Sequence, residues 1–69
     1  MKQYLYVLID SDKKYWAGMI EGIEWWAIYF MDSKVFTNQT LAQRELNKHK
    51  IKAKIYRVLI NPEPFGNPE

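Results

Sequence analysis

Eight residues, Ile23 to Phe30 (Ile-Glu-Trp-Trp-Ala-Ile-Tyr-Phe), constrain the fold of this chain more than any others. Seven of the eight are apolar or aromatic, and most of them favour a pleated strand, where rings and β-branched side chains pack well. At about 3.3 Å per residue the stretch would span about 26 Å, enough to cross a small domain. A strand this apolar needs cover on at least part of both faces, and the rest of the chain has to supply it.

The rest is short. Sixty-nine residues make one domain, and at that size only about 60% of the unfolded chain's surface becomes buried. Small scaffolds usually compensate with disulfides, a metal or a partner. The chain has no cysteine, which excludes a disulfide framework, a thiol nucleophile, an iron–sulfur cluster and a cysteine zinc site. Three Trp, five Tyr and three Phe stand in their place, since each ring brings a large apolar area to a small core. The apolar run Tyr4 to Ile9 is too short for a secretory signal, and no run of about 18 apolar residues could cross a membrane. The expectation is a cytoplasmic protein without membrane contact.

The remaining elements follow from pattern. Residues 3–9 read as a strand, with Leu5, Val7 and Ile9 on one face and Tyr4, Tyr6 and Leu8 on the other. The aliphatic set is expected against the core and the tyrosine set on a partly wet face. Asp10 to Lys14 is a turn, because Asp and Ser side chains bond their own nearby backbone. Residues 15–20 return as a second strand, with Gly18 as a bulge or close-approach point. Glu21-Gly22 then turns tightly into the third strand, 23–30. Lys34-Val35-Phe36 adds a short extended piece. Asn38 or Thr37 caps a helix that carries Leu41, Ala42, Glu45, Leu46 and His49 on one side. Residues 51–60 form the last strand. The expected architecture is a single α+β domain over 1–60, a four-stranded, mainly antiparallel sheet in the order β-β-β-α-β with one helix on one face. Residues 61–69, with three prolines and a glycine, are expected as a flexible tail.

The segment Lys34-Val35-Phe36-Thr37-Asn38, with Ala42 four residues past Asn38, stands between a leading Tyr-Val-Leu-Ile strand and a closing Ile-Lys-Ala-Lys-Ile-Tyr strand. This arrangement resembles small accessory domains encoded by bacteriophages, built as a strand, an aromatic hairpin, a Lys-Val-Phe segment, a capped helix and a final strand. The resemblance implies a phage or prophage protein of the host cytoplasm that acts by binding a host or defence protein, as an anti-defence inhibitor would. It brings no catalytic residue with it.

Catalysis is hard to assemble from these residues. The single histidine, His49, lies at a lysine-rich helix end, and scattered carboxylates give no convergent metal ligands. Asp10-Ser11-Asp12 lacks the loop and glutamate of a calcium site, and Gly18, Gly22 and Gly66 are isolated, so no phosphate loop is present. We therefore expect a non-enzymatic protein with no cofactor and no metal. One helix covers one face of a sheet. The other face, expected to hold Tyr4, Tyr6, Trp25 and Tyr29, then becomes an apolar patch of the kind that marks an interface. Adjacent Trp25 and Trp26 point to opposite faces, and alternation with Glu24 allows either inside; the preferred reading puts Trp26, Ile28 and Phe30 inside, leaving Trp25 and Tyr29 on the open face.

Charge suggests the alternative. Residues 1–33 carry a net −2 and residues 34–69 a net +4. Lys48, Lys50, Lys52, Lys54 and Arg57 form a basic edge that, beside exposed rings, could hold single-stranded nucleic acid by stacking and phosphate contacts. Against this, the overall charge is only +2, and edge lysines also serve to deter aggregation. A third reading is a homodimer that covers the apolar third strand by pairing two edges or stacking two open faces.

Overall fold

The structure, a computed structural model, describes residues 3–60. The expected tail over 61–69 lies outside the described residues. The chain forms β1 (Gln3–Ile9), β2 (Tyr15–Ile20), β3 (Ile23–Ala27), a single 3-10 turn (Phe30–Asp32), α1 (Gln39–Lys48) and β4 (Lys54–Ile60). The four strands make one antiparallel sheet in the order β3-β2-β1-β4, and the class is α+β as the pattern implied.

The two outer pairings are extensive and the central one is not. β1 and β4 pair along their whole length, from Gln3 opposite Ile60 to Ile9 opposite Lys54. β2 and β3 form a hairpin closed by Glu21 and Gly22, whose φ values of 51° and 78° are what a type I′ turn requires and what the strand twist favours. Between β1 and β2 the register holds only Ile9 opposite Tyr15. Beyond that pair the strands part, and residues 34–36 fill the fork. The Lys34 N–H donates to the Trp16 carbonyl at 2.8 Å, while Tyr6 and Phe36 exchange both backbone hydrogen bonds at 2.9 Å. The short extended piece expected there is thus the wedge that joins the two halves.

A β-bulge sets which side chains meet. Trp16 opposes Trp26 and Gly18 opposes Trp25, so Ala17 is the extra residue. Three positions apart, Trp16 and Met19 would face opposite ways in a regular strand; the bulge brings both to the helix side. Gly18 takes φ = 126°, a conformation that only glycine adopts without strain.

The core under α1 consists of Leu8, Trp16, Phe36, Ala42 and Ile51, with Tyr6, Met19, Trp26, Leu46, Ala53 and Ile55 packed against it. This reverses the expectation for β1: Tyr6 and Leu8 face the helix, and Leu5, Val7 and Ile9 face away. The helix has a narrow apolar stripe, and flat rings from the sheet fill the space that its small residues leave. Trp16 and Trp26 meet edge to face, with centroids 5.2 Å apart and planes at 76°. The third strand also ends earlier than expected, at Ala27, and Ile28 and Phe30 are exposed rather than inside. The chain has to leave the edge strand there to return to the fork at Lys34.

The helix is fixed at both ends by local chemistry. Asn38 is the cap, its Oδ1 accepting from the Leu41 N–H at 2.9 Å. At the other end Lys50 adopts φ = 51°; its N–H donates to the Asn47 carbonyl and the Ile51 N–H to the Leu46 carbonyl. These two bonds are a Schellman motif. It carries Ile51 into the core and delays the last strand, so Lys52 precedes β4 rather than belonging to it.

Candidate functional site

Strand parity divides the residues expected to bind a partner. Trp25 lies on the face away from the helix, across from Gly18, while Trp26 packs on the core. Tyr4 and Tyr6 lie on the opposite, helix-bearing face. Tyr6 is part of the core surround, and the Tyr4 ring is stacked by the Arg57 guanidinium, 4.4 Å from its centroid. Tyr29 is exposed in the connection after β3. The structure therefore does not assemble Tyr4, Tyr6, Trp25 and Tyr29 into one surface.

What it does assemble on the open face is different. Ile20 and Ile23 flank the hairpin turn as a direct cross-strand pair, and Trp25 follows Ile23 two positions on, on the same face. They are 60%, 58% and 51% exposed. The full open face of the hairpin is Tyr15, Gly18, Ile20, Ile23, Trp25 and Ala27, with no charge among them. Phe30 folds back against one end of it, edge-on to Tyr15 with centroids 6.1 Å apart. Together with the exposed Ile28, Tyr29 and Met31 beyond β3, this gives apolar surface on the order of a few hundred Å², the scale at which patches on monomers are often functional. Ile20 and Ile23 were missed by sequence reasoning. The signal was there: residues bracketing a two-residue turn pair with each other, and parity from Ile23 to Trp25 puts the pair beside the indole.

The basic residues are also dispersed. Arg57 is committed to the Tyr4 ring on the helix face, Lys50 occupies the helix terminus, and Lys48 ends the helix. Lys54 stands on the open face opposite Ile9, with Lys52 just before the strand.

The most tightly bonded group of polar side chains centres on Glu45, in the second turn of α1. Its Oε2 accepts from Trp16 Nε1 and from Lys34 Nζ, each at 3.0 Å, and lies 3.9 Å from His49 Nε2. Burial pushes the carboxyl up, but the hydrogen bonds from Trp16 and Lys34 and the charges of Lys34 and His49 outweigh it and hold Glu45 below the ordinary glutamate range. A carboxylate held low and ringed by donors is a poor proton acceptor. It ties the helix to β2 through the indole and to the fork segment through Lys34. Among the described residues no three His, Asp or Glu converge as metal ligands, and no helix is long and apolar enough to cross a membrane. Comparison with protein-family models, with curated proteins and with solved structures finds no match to the chain.

Proposed function

We propose that the protein is a non-enzymatic interaction module that holds a protein partner against the open face of the β2–β3 hairpin, with Trp25 as the anchor. The observation that carries this reading is the uncharged triplet Ile20, Ile23 and Trp25, each more than half exposed on one face of the hairpin, away from the helix. Tryptophan anchors are frequent at interface hot spots because one ring desolvates much area with little rotamer freedom to lose. β3 is also an edge strand, so its free backbone edge can add strand pairing to the apolar contact. The resemblance to phage accessory domains makes a bacterial host or defence protein the class of partner to look for.

Site-specific photo-crosslinking tests this. A benzophenone amino acid in place of Trp25, in a bacterial extract, is expected to give a discrete adduct with another protein that Ile23→Asp abolishes. The same group in place of Tyr4 is expected to give none. An adduct only with a second copy of the chain would replace the reading with a homodimer. Equal labelling from both positions would overturn it.

A further inference from the structure

A second concave surface lies at the opposite end of the sheet from the hairpin tip. It is a groove of about 480 Å³ between the β1–β2 turn and the start of β4, walled by Ile9, Lys13, Lys52, Ala53, Lys54 and Tyr56. That volume is within the range of small-molecule sites. Ile9 and Ala53 contribute apolar lining, and three lysines, Lys13, Lys52 and Lys54, line it as well. One carboxylate, Asp10, also lines it, but its Oδ1 already accepts from the Asp12 and Lys14 N–H groups at 2.9 and 2.8 Å. The ion pairs among the described residues are those of Glu45, so none of the three lysines is neutralised by a described carboxylate.

The turn that presents Lys13 is tightly bonded. Besides the two bonds to Asp10 Oδ1, the Asp10 N–H donates to the Lys14 carbonyl and the Lys13 N–H to the Asp10 carbonyl. Lys13 itself has φ = 64°, a left-handed conformation that Gly or Asn adopts at lower cost. On the facing strand Lys54 and Tyr56 are two residues apart, so both project from the open face. A cation and a half-exposed ring therefore stand on one face, across the ladder from Ile9 and Val7.

We propose that this groove binds a phosphate-bearing ligand of mononucleotide size, the phosphate among Lys13, Lys52 and Lys54 and the base against Tyr56. Three ammonium groups against one internally bonded carboxylate match a phosphate monoester, which carries about −1.5 to −2 at neutral pH. Lysine serves phosphate as a point charge. A tyrosine face accepts any base, because every base has a π surface, so little discrimination among bases is expected. The ligand's source is either a free nucleotide or the phosphorylated end of a single strand.

The test is an amide-resolved NMR titration of the whole chain with adenosine 5′-monophosphate, thymidine 5′-monophosphate, inorganic phosphate and adenosine. Two thymidine oligonucleotides, with and without a 5′-phosphate, complete the set. Both nucleotides are expected to shift the amides of Lys13 and Lys52 to Tyr56 saturably, with adenosine far weaker. The double variant Lys52→Ala/Lys54→Ala is expected to weaken nucleotide binding about tenfold or more, as loss of hydrogen bonds to a charged group does. Lys13→Gly removes an ammonium from a backbone that suits glycine, so weaker binding in that variant comes with the fold intact. Tyr56→Ala is expected to weaken nucleotide but not inorganic phosphate. A phosphorylated oligonucleotide that outcompetes the mononucleotide assigns the groove to a strand end, and equal affinity assigns it to the free nucleotide. Shifts that never saturate at millimolar nucleotide, or that sodium chloride reproduces at equal ionic strength, would overturn the proposal. Variants of Trp25 leave this binding unchanged, so the two surfaces stand or fall separately.

Discussion

The β1–β4 pair and the β2–β3 hairpin share one sheet, yet on the same face of that sheet the aliphatic side chains are covered in one half and exposed in the other. On the face away from the helix, Val7 of β1 is fully buried, and Leu5, Ile9, Val58 and Ile60 around it are half-buried. On the hairpin, Ile20, Ile23 and Trp25 of that face are each more than half exposed. The helix explains neither, because it lies on the other side. Val7 sits at the middle of the long β1–β4 ladder, opposite Tyr56 and flanked by Leu5, Ile9 and Val58 on the same face. A short hairpin with a bulge and a free edge has neighbours on one side only. The lesson is that, on the back of the sheet, the uncharged exposed surface of Ile20, Ile23 and Trp25 lies at one end, and this narrows the candidate interface to a few residues.

The comparison breaks most completely at the wedge. Phe36 is buried in the core and bridges Tyr6 in the fork between the halves. Phe36→Ala is expected to cost about 3–5 kcal/mol, as aromatic truncations in cores do. For a domain of this size that is a large share of total stability. Urea unfolding followed by Trp fluorescence measures it. If the wedge holds the halves together, amide exchange in β2 and β3 should accelerate before that in β1 and β4.

Glu45 is the second tie, and a smaller one. Glu45→Gln keeps an acceptor for the Trp16 indole but loses the charge facing Lys34 and His49, and about 1–2 kcal/mol is expected to go with it. The pH dependence has a definite sign. The folded-state pKa of Glu45 is lowered, so its contribution is fully present above the unfolded glutamate value of about 4.3. It is lost as pH falls from there through the lower folded value. Wild-type stability should therefore drop more steeply than that of Glu45→Gln in this acid window, and the two denaturation midpoints should converge at its lower end.

Much of this arrangement was legible in the residues. Asn38 before a helical stripe, Glu21-Gly22 between apolar runs and Gly18 inside a strand each name a local backbone geometry, and each is found. The adjacent Trp25 and Trp26 had to face opposite ways, but alternation did not decide between them: Glu24 shares the helix-side face with Trp26 and accepts from its indole N–H, so a polar neighbour did not mark the outer side. The face of β1 was not legible. Both of its alternating sets are apolar, and hydropathy ranks Leu5, Val7 and Ile9 above Tyr4, Tyr6 and Leu8. The register with β4 and the volume that rings must fill beneath a helix with a narrow apolar stripe decided otherwise, and neither is a local property. The end of β3 was hidden for a similar reason. Ile28 and Phe30 are as apolar as the residues before them, but the path back to the fork turns them out.

On the hairpin itself, Trp25→Ala should cost little stability, within about 1 kcal/mol, because half of the side chain is already in water. Partner capture should nonetheless be lost. A large loss of stability would mean that the indole serves the fold, and the contrast between the covered and exposed halves would then be one of degree. Thermal melts of wild type and variant, run beside crosslinking from a benzophenone amino acid placed at Ile20 in each, separate the two outcomes.

The smallest effects test whether the halves unfold as one. Each half contains a residue other than glycine in the left-handed region, Lys50 at the helix end and Glu21 at the hairpin turn. Lys50→Gly relieves that backbone within the Schellman motif and should raise global stability by about 0.4–1 kcal/mol. Glu21→Asn creates the Asn-Gly pair that type I′ turns prefer and should relieve a similar or smaller amount, but its reach depends on coupling. If the wedge and the Glu45 tie make one cooperative unit, Glu21→Asn raises the global urea midpoint and slows exchange everywhere. If the hairpin opens on its own, the gain stays local: β2 and β3 amides exchange more slowly while the midpoint does not move. A hairpin that opens independently would also suit an interface that recruits its free edge, since the cost of reshaping it on binding would not fall on the helix-covered half.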